Sequence, residues 1–581
     1  MQNRDLAGWV AAFSKALESG DPKACTSLFS PSAMWRDILA LTWNLVTVEG
    51  AEAIADMLVL RLPTVGFSAL QTDAAGAATE GWISFETKLG NGAGYVRLSE
   101  GLCLTILTEL GSLRGHEEAI GLNRLTGNEP DLAGRNWLDR LNDDAAILGR
   151  DTQPYVVIIG GGQGGLALGA RLKALNIPCL IIDKYPRIGD QWRSRYDSLT
   201  LHDPVWYDHL PYLPFPENWP VYTPKDKMGD WLEAYAGIME LNVWTSTECT
   251  AAAFDEEAQH WRITVCKNGE ISVLTAAHLV MAVGNAGFPN VPAFPGADSF
   301  NGALYHSSAH KGGAEDAGKR VVVIGSNNSA HDICAELITN GADVTMVQRS
   351  STLVVQQKTT QDVLLQPLYS QAAVDQGMTT ERADLMVASI PIRMQEQMYK
   401  PVWDHIQALD ADFYAELEKA GFHLDFAEDG TGLGMKYLRT ASGYYVDVGA
   451  SAMIADGRIK LRSGVGVDRI VEDGLILTDG SQVPADIIVM ATGFGSMEQW
   501  VARLISPEVA EKVGSCWGYG SGHVGDPGPW EGELRNMWKP TRQNGLWFHG
   551  GNLAQSRFYS RYLALQIKAR YEGLPVSVYS G

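Results

Sequence analysis

Residues 155–165 decide the fold, and they read Tyr-Val-Val-Ile-Ile-Gly-Gly-Gly-Gln-Gly-Gly. The apolar run that ends at Ile159 predicts a buried parallel strand, and the glycines after it have the spacing Gly-x-Gly-x-x-Gly. A helical pattern continues to Leu175, and a second apolar run ends at Asp183. Strand, glycine turn, helix, strand and terminal acid together predict a βαβ unit that binds a dinucleotide.

Each residue of this motif has a physical task. Gly160 permits the tight turn, Gly162 lets the backbone approach a pyrophosphate, and Gly165 allows close packing of the helix. The free N–H groups at the helix N-terminus attract the phosphates. Asp183 is expected to accept a hydrogen bond from a ribose hydroxyl.

A second unit of the same kind begins at Val321. Its turn, residues 325–330, reads Gly-Ser-Asn-Asn-Ser-Ala, so Asn327 stands where the second glycine would be and Ala330 where the third would be. We therefore expect the phosphates to lie slightly farther from Gly325 and to be contacted by Asn328 or Ser329.

The second unit ends in a base where the first ends in an acid. Its second strand closes with Arg349 and Ser350. An arginine here favours a 2′-phosphate over a free ribose hydroxyl, although arginine is also ordinary on solvated loops. Two sites of opposite character predict two dinucleotides, FAD in the first unit and NADPH in the second, which is the arrangement of a hydride relay.

Composition limits the partners. The 581 residues carry 68 acidic and 46 basic side chains, and a net charge of -22 disfavours nucleic acid and anionic membrane surfaces. No apolar run suits a membrane span and no signal-peptide core is present, so a cytoplasmic protein acting on small molecules is expected. The seven scattered cysteines lack CxxC spacing, which predicts reduced, mostly buried thiols and no metal site.

The chain is predicted to combine an N-terminal α+β unit with two α/β nucleotide-binding units. The sequence of the α+β unit predicts a helix over residues 5–17, strands over 82–87, 95–98 and 103–110, and glycine turns at 90–94 and 101. The predicted domains are 1–125 (α+β), 126–153 (a polar linker), 154–310 (FAD unit, first part), 311–484 (NADPH unit with a helical insertion) and 485–581 (FAD unit, second part).

Two further patterns bear on the nucleotide units. The apolar run 487–490 leads into Thr492 and Gly493, a strand exit where the backbone is expected to approach the FAD. The helical stretch 359–418 carries Tyr369, Tyr399 and Trp403 among several methionines. These side chains are candidates for a substrate pocket, although core packing is the more common role of such a pattern.

Over residues 155–570 the sequence resembles the class B flavin monooxygenases, which include the flavin-containing, YUCCA-type and Baeyer–Villiger enzymes. The most specific element is Phe300-x-Gly302-x-x-x-His306, which is similar to the signature of that class. The chain departs from it at His310, where the family usually has an aromatic residue. Two stretches look like the family's flavin-binding segment, namely residues 189–192, which include Gln191 and Trp192, and residues 196–204. Residues 207–235 are similar to the YUCCA-type pattern.

The resemblance implies an activity. In such enzymes NADPH reduces FAD, O2 forms a C4a-(hydro)peroxyflavin, and a small organic substrate is oxygenated without a side-chain nucleophile. The YUCCA-like stretch favours heteroatom oxygenation or oxidative decarboxylation of an oxo acid, with Baeyer–Villiger oxygenation of a ketone as the alternative. His202 stands where many relatives have an asparagine facing the flavin, so it is either a catalytic hydrogen-bond donor or a structural histidine.

Residues 1–125, with the sequences Trp-Arg-Asp at 35–37 and Glu-Gly at 49–50, resemble the nuclear-transport-factor-2 and polyketide-cyclase domains. The resemblance implies a cone-shaped α+β fold with a cavity. A packing or dimerisation role, and hence a homodimer, is a simpler interpretation than independent catalysis. An NADPH-dependent reductase or oxidase without oxygenation is less favoured, because no CxxC is present, and a non-enzymatic ligand-binding protein is favoured least.

Overall fold

The computed structural model describes residues 4–19, 21–74, 76–128, 134–284 and 286–579, so part of the predicted linker, residues 129–133, lies outside the described chain. Within it, an α+β unit precedes two parallel-sheet units, which confirms the predicted fold class. No helix among the described residues is long and apolar enough to cross a membrane.

The N-terminal unit is one six-stranded sheet of order β2-β1-β6-β5-β4-β3 with helices packed on it. All neighbouring strands run antiparallel except β1 and β6. Helix α1 buries Leu6, Trp9 and Phe13 because these apolar residues share one face at helical spacing. The elements are α1 (Leu6–Ser19), α2 (Pro22–Thr26), β1 (Phe29–Ile38), β2 (Leu45–Glu49), α3 (Ala51–Val65), β3 (Ser68–Thr72), β4 (Glu80–Glu86), β5 (Gly90–Ser99) and β6 (Leu102–Leu113).

The predicted turn at residues 90–94 is wrong, because these residues lie inside β5. A Cβ atom on Gly90 would lie 1.8 Å from the carbonyl oxygen of Ser112, and one on Gly94 would lie 1.9 Å from that of Leu107. These glycines therefore serve a close approach of β5 to β6 and not a change of chain direction.

The first nucleotide unit is built on a parallel sheet of order β24-β13-β7-β8-β9. All four residues of β7 are buried, as expected for a strand covered by helices on both faces. Its elements, with the helix that precedes it, are α4 (Trp137–Ile147), β7 (Val156–Ile159), α5 (Gln163–Ala174), β8 (Cys179–Ile182), α6 (Asp190–Arg193), α7 (Val205–Asp208), α8 (Lys225–Ile238), β9 (Val243–Trp244), the antiparallel meander β10 (Thr247–Asp255), β11 (His260–Lys267) and β12 (Glu270–Ala276), then β13 (His278–Met281), and at the end of the chain β24 (Leu546–Phe548) and α19 (Leu553–Tyr571).

The second nucleotide unit repeats this plan with a parallel sheet of order β14-β23-β15-β16-β19. A group of helices, the helical insertion, lies between its strands β17 and β18. The elements are β14 (Ala303–His306), β15 (Arg320–Ile324), α9 (Asn328–Thr339), β16 (Asp343–Gln348), β17 (Leu353–Gln356), α10 (Gln357–Thr360), α11 (Gln371–Asp375), α12 (Thr380–Ala388), α13 (Ile392–Leu409), α14 (Ala411–Lys419), α15 (Gly432–Thr440), β18 (Tyr444–Asp447), α16 (Ala450–Ala455), β19 (Lys460–Ser463), β20 (Val467–Val471), β21 (Gly474–Leu477), β22 (Gln482–Pro484), β23 (Ile487–Met490), α17 (Glu498–Leu504) and α18 (Pro507–Val513).

Strand pairing corrects two predicted domain boundaries. Strand β14 pairs with β23, and β23 pairs with β15, so both belong to the second sheet. The boundaries placed at residues 310 and 485 assign these two strands to the FAD unit. A short apolar run shows that a strand is buried but not which of two sheets it joins, and this ambiguity is the cause of the error.

Candidate active site

The first glycine turn has the shape of a phosphate cradle. A Cβ atom on Gly160 (φ +111°) would lie 2.3 Å from the carbonyl oxygen of Ala282, and one on Gly165 would lie 1.9 Å from that of Gly160. A Cβ atom on Gly162 would approach only the Nε2 atom of Gln191, at 3.4 Å. The fold itself therefore requires glycine at positions 160 and 165, whereas the space before Gly162 is free for a pyrophosphate.

The surroundings of this turn also suit a dinucleotide. Helix α5 has Gly162 as its N-cap residue, with no side-chain cap on the N–H groups of the first turn. At the end of β8, the Asp183 carboxylate accepts from the backbone N–H groups of Gly161 at 2.6 Å and Tyr185 at 2.8 Å. Each oxygen retains a lone pair for a ribose hydroxyl. Burial raises the pKa of Asp183.

Unpartnered buried polar atoms mark the flavin side of the first unit. Both amide atoms of Gln191, the Nε1 atom of Trp192 and the Nδ1 atom of His202 are buried without a hydrogen-bond partner among the described residues. Both ring nitrogens of His549, which lies beside Gly164, are also buried without a hydrogen-bond partner among the described residues. Since buried polar groups are normally paired, these atoms fit a ligand that brings its own donors and acceptors, as FAD does.

The second turn has a similar backbone with more side-chain contacts. A Cβ atom on Gly325 (φ +129°) would lie 2.3 Å from the carbonyl oxygen of Ala491. Asn328 is the first residue of α9, and its Oδ1 atom accepts from the backbone N–H of Val446 at 3.0 Å, which leaves its amide N–H groups for a ligand. Ser329 follows it on the helix, and Ala330 is fully buried.

Arg349 and Ser350 are exposed just beyond the end of β16. No carboxylate in the described part of the chain pairs with Arg349. Its aliphatic stem lies beside Gly466, where an added Cβ atom would be 3.7 Å from the Arg349 Cδ atom. The guanidinium is thus free to meet a 2′-phosphate, and that role stays a prediction.

His306 joins β14 to the segment after β23. Its Nδ1 atom accepts from the backbone N–H of Ser308 at 3.1 Å, so the proton lies on Nε2, which donates to the carbonyl oxygen of Gly493 at 3.0 Å. The Oγ1 atom of Thr492 donates to the carbonyl oxygen of Asn290. Thr492 and Gly493 therefore follow a strand of the second sheet, and their predicted contact with FAD stays a prediction.

The two nucleotide units meet at one cavity of about 380 Å³. His202 and Tyr207 line it from the first unit, and Asn328 lines it from the second. The carbonyl oxygen of His202 accepts from the side-chain amides of Gln357 and Gln361, both at 2.8 Å, which fixes the backbone beside the imidazole. Burial lowers the pKa of His202, so the ring is neutral at pH 7.

Comparisons with known proteins agree with this geometry. The family described as "Pyridine nucleotide-disulphide oxidoreductase" matches residues 157–410. "Indole-3-pyruvate monooxygenase YUCCA1" of Oryza sativa subsp. japonica is 31% identical over 344 residues, which are 59% of this chain and 77% of that protein. "Probable indole-3-pyruvate monooxygenase YUCCA10" of Arabidopsis thaliana is 30% identical and covers 59% and 82%. The chain belongs to the YUCCA-type flavin monooxygenases.

Solved structures support the fold of this flavin monooxygenase. Cyclohexanone monooxygenase with bound epsilon-caprolactone superposes with a TM-score of 0.52 at 18% identity, over 72% of this chain and 88% of that one. OTEMO in complex with FAD and NADP superposes with a TM-score of 0.50 at 16% identity, over 73% and 85%. The chain is thus an FAD-dependent monooxygenase that uses NADPH and O2, as its sequence predicts.

The N-terminal unit of the monooxygenase contributes directly to the cavity wall. Arg36 lines the cavity and donates to both carboxylate oxygens of Glu533, at 2.7 and 2.8 Å. It also donates to the carbonyl oxygen of Ala388 at 2.7 Å and to the hydroxyl of Tyr559 at 3.0 Å. No local motif signals this contact, because Arg36 and Glu533 are 497 positions apart.

The aromatic residues predicted in the helical insertion divide into two groups. Tyr369 and Tyr399 line the cavity. Trp403 is completely buried in the core, whereas Met398 is 43% exposed. Asp203 also lines the cavity. It lies in the stretch 196–204 that resembles the family's flavin-binding segment, but it was not predicted as a site residue.

Proposed function

We propose that the chain transfers one oxygen atom of O2 to a small organic substrate bound in the cavity between the two nucleotide units. The second oxygen atom leaves as water, and NADPH supplies the two electrons as it becomes NADP+. One observation carries the proposal: His202 of the flavin side and Asn328 of the NADPH helix line the same cavity. A substrate there lies within reach of both cofactor sites.

The site residues keep the roles predicted from the sequence. FAD is held at the first turn by Gly160, Gly162, Gly165, Asp183, Gln191 and Trp192, and NADPH at the second by Gly325, Asn328, Ser329, Ala330, Arg349 and Ser350. The open space at Gly162 and the unpartnered atoms of Gln191 and Trp192 support the first assignment. When bound at these residues, FAD would supply the hydride acceptor and the group that activates O2. Thr492 and Gly493 are proposed to approach the FAD with their backbone, and His306 of the signature motif holds the Gly493 carbonyl oxygen.

His202 is the side chain proposed to serve the reacting oxygen. Its neutral ring holds one proton, and its Nδ1 atom has no partner in the part of the chain that the structure describes. The ring can therefore donate or accept a hydrogen bond at Nδ1. Its backbone is held by two glutamine amides. A hydrogen bond placed in advance costs no reorganisation when the oxygen atom is transferred.

The proposed reaction classes are heteroatom oxygenation and oxidative decarboxylation of an oxo acid. The second is suggested by the relatives, which are named indole-3-pyruvate monooxygenases. Oxygenation of a ketone remains the alternative. The N-terminal unit is proposed to have a nuclear-transport-factor-2-like fold and to pack against the cavity wall, because Arg36 reaches that wall. A cytoplasmic location and a homodimer stay predictions from the sequence.

The proposal is tested by loading the purified chain with FAD and following NADPH oxidation, O2 consumption and product formation together. The panel contains an amine, a sulfide, an oxo acid and a ketone. We expect one oxygenated product molecule for each NADPH consumed in the preferred class. His202→Asn should retain more coupling to product than His202→Leu, because the amide keeps a hydrogen-bonding group. Equal coupling in both variants would show that His202 has only a structural role.

A further inference from the structure

Helix α12 lies between the N-terminal unit and the cavity. Asp384, Val387 and Ala388 of this helix line the cavity. Arg382 is on the opposite face at helical spacing, and its guanidinium lies 5.2 Å from the ring centre of Trp82 in the N-terminal sheet. Any displacement of α12 relative to the N-terminal sheet therefore changes the cavity wall.

Two arginines of the N-terminal sheet hold the carboxyl end of α12. The helix is followed by Ile-Pro at residues 390–391, so no glycine closes its last carbonyl groups. The Ala388 carbonyl oxygen accepts from Arg36 at 2.7 Å. The Ser389 carbonyl oxygen accepts from Arg97 at 3.0 Å, and the Ser389 hydroxyl oxygen accepts from the same guanidinium at 2.9 Å. Positive charge also stabilises this end of a helix.

Arg97 differs from Arg36 in its relation to the cavity. Arg36 is among the described residues that line the cavity, and Arg97 is not. Arg97 extends from β5, where Glu80 lies 3.4 Å from its Nε atom, and its side chain is only 16% exposed. An effect of Arg97 on the cavity must therefore pass through α12.

The middle of α12 holds the flavin-side segment of the cavity wall. The Asp384 carboxylate accepts from Arg557 at 2.8 and 2.9 Å, and both side chains are buried. Arg557 in turn donates to the carbonyl oxygens of Tyr207 at 2.6 Å and His209 at 2.8 Å. Tyr207 lines the cavity together with His202. The ion pair thus joins α12 to residues 202–209.

We propose that Arg97 is a positioning residue for the oxygenation reaction. It fixes the end of α12, and α12 places His202 and Tyr207 through the ion pair of Asp384 with Arg557. The N-terminal unit thereby maintains the coupling of NADPH use to product formation. The inference rests on the proposed function, because it concerns the same cavity. A unit that only packs against the wall would lose Arg97 without any change in residues 202–209.

Hydrogen–deuterium exchange of the oxidised, FAD-loaded enzyme, measured without substrate, tests this relay. Arg97→Met should speed exchange in α12 about tenfold, because a charged donor is lost, and exchange in residues 202–209 at least about threefold. Arg97→Lys should give smaller increases, because one donor group remains. Arg382→Met is the matched control. It removes the contact with Trp82 but no hydrogen bond at the end of α12, so residues 202–209 should exchange as in the wild-type enzyme.

Turnover provides the second measurement, with the preferred compound among benzyl methyl sulfide, N,N-dimethylbenzylamine and phenylpyruvate. Arg97→Met should raise KM for that compound about fivefold or more and increase the share of consumed O2 that is recovered as hydrogen peroxide. KM for NADPH should stay within about twofold, because the second glycine turn is built on another sheet. Arg97→Lys should restore part of both losses.

The outcomes separate the relay from the reaction itself. Unchanged exchange in residues 202–209 of Arg97→Met, an equal increase in Arg382→Met, or unchanged KM and peroxide release would overturn the inference while oxygenation as such stands. If Arg97→Met does not fold, Arg97→Lys is compared with Arg382→Met by the same criteria. If the wild-type enzyme oxygenates no compound, the proposed function fails, whereas the exchange measurement still decides whether Arg97 positions residues 202–209.

Discussion

Replacing Arg36 by methionine tests whether the N-terminal unit is an integral part of the active site. Arg36 and Glu533 form an ion pair whose side chains are only 7% and 5% exposed. Methionine keeps most of the side-chain volume. It leaves the Glu533 carboxylate buried with the hydroxyl of Thr47, at 2.7 Å, as its remaining side-chain donor among the described residues. Removing one partner of a buried ion pair costs about 3 to 5 kcal/mol.

The uncompensated charge left on Glu533 accounts for most of this cost. Arg36→Met combined with Glu533→Leu should therefore be more stable than Arg36→Met alone, by at least about 1 kcal/mol, because no buried charge is left. Arg114→Met is the matched control in the same unit. Its partner is Glu86, both side chains are about half exposed, and the expected loss is about 0 to 1 kcal/mol.

The assay is urea unfolding of the full chain, followed by tryptophan fluorescence and by FAD release, together with KM for the preferred substrate. Arg36→Met should lower the unfolding midpoint and raise KM, because Arg36 also lines the cavity. Arg114→Met should do neither. Equal stability of Arg36→Met and Arg114→Met, or a double variant less stable than Arg36→Met, would refute the buried ion pair between Arg36 and Glu533.

Three further predictions concern the nucleotide sites and pH. Gly162→Val should fold but lose FAD, because a Cβ atom at position 162 approaches only the Gln191 side chain. Gly165→Ala should instead lose soluble expression, because its Cβ atom would lie 1.9 Å from the carbonyl oxygen of Gly160. A yellow Gly162→Val protein would contradict the assignment of the FAD site to the first turn. Arg349→Ala should raise KM for NADPH about tenfold and leave NADH nearly unchanged, and retained discrimination would make Arg349 a surface residue. Burial and Arg570 lower the pKa of His278 to about 3, so below pH 6.5 only the unfolded chain takes up its proton. At pH 5 the protonation of His278 in the unfolded chain lowers the free energy of unfolding by about 2 kcal/mol. His278→Gln should therefore lose about 2 kcal/mol less stability than the wild-type chain between pH 7 and pH 5, measured by urea unfolding. Identical dependence on pH in the two proteins would contradict the prediction.

The nucleotide units could be predicted because their signals are local. The apolar runs and glycines around residue 160 define a strand, a turn and a helix, and the structure begins β7 at Val156 and α5 at Gln163. The turns require glycine for backbone reasons that any sequence of this pattern shares. Two relatives matching at about 30% identity then confirm the family expected from the signature ending at His306.

Features that depend on distant partners could not be predicted. Strand β1 contains Pro31, and its last six residues are all buried, so it has no period of two. The sheet membership of β14 and β23 depends on pairing across about 180 positions. The buried pairs of Arg36 with Glu533 and of Arg557 with Asp384 likewise join residues that are far apart in the sequence. Such information resides in the packed structure and not in any local pattern.

Isotope labelling tests the central claim, monooxygenation, most directly. The FAD-loaded enzyme is supplied with NADPH, 18O2 and the preferred substrate of the panel, and the product is analysed by mass spectrometry while hydrogen peroxide is measured. The account predicts that one 18O atom enters each product molecule and that one NADPH is consumed for each product. Recovery of the consumed O2 as hydrogen peroxide, with no label in any organic product, would contradict it and would identify an NADPH oxidase.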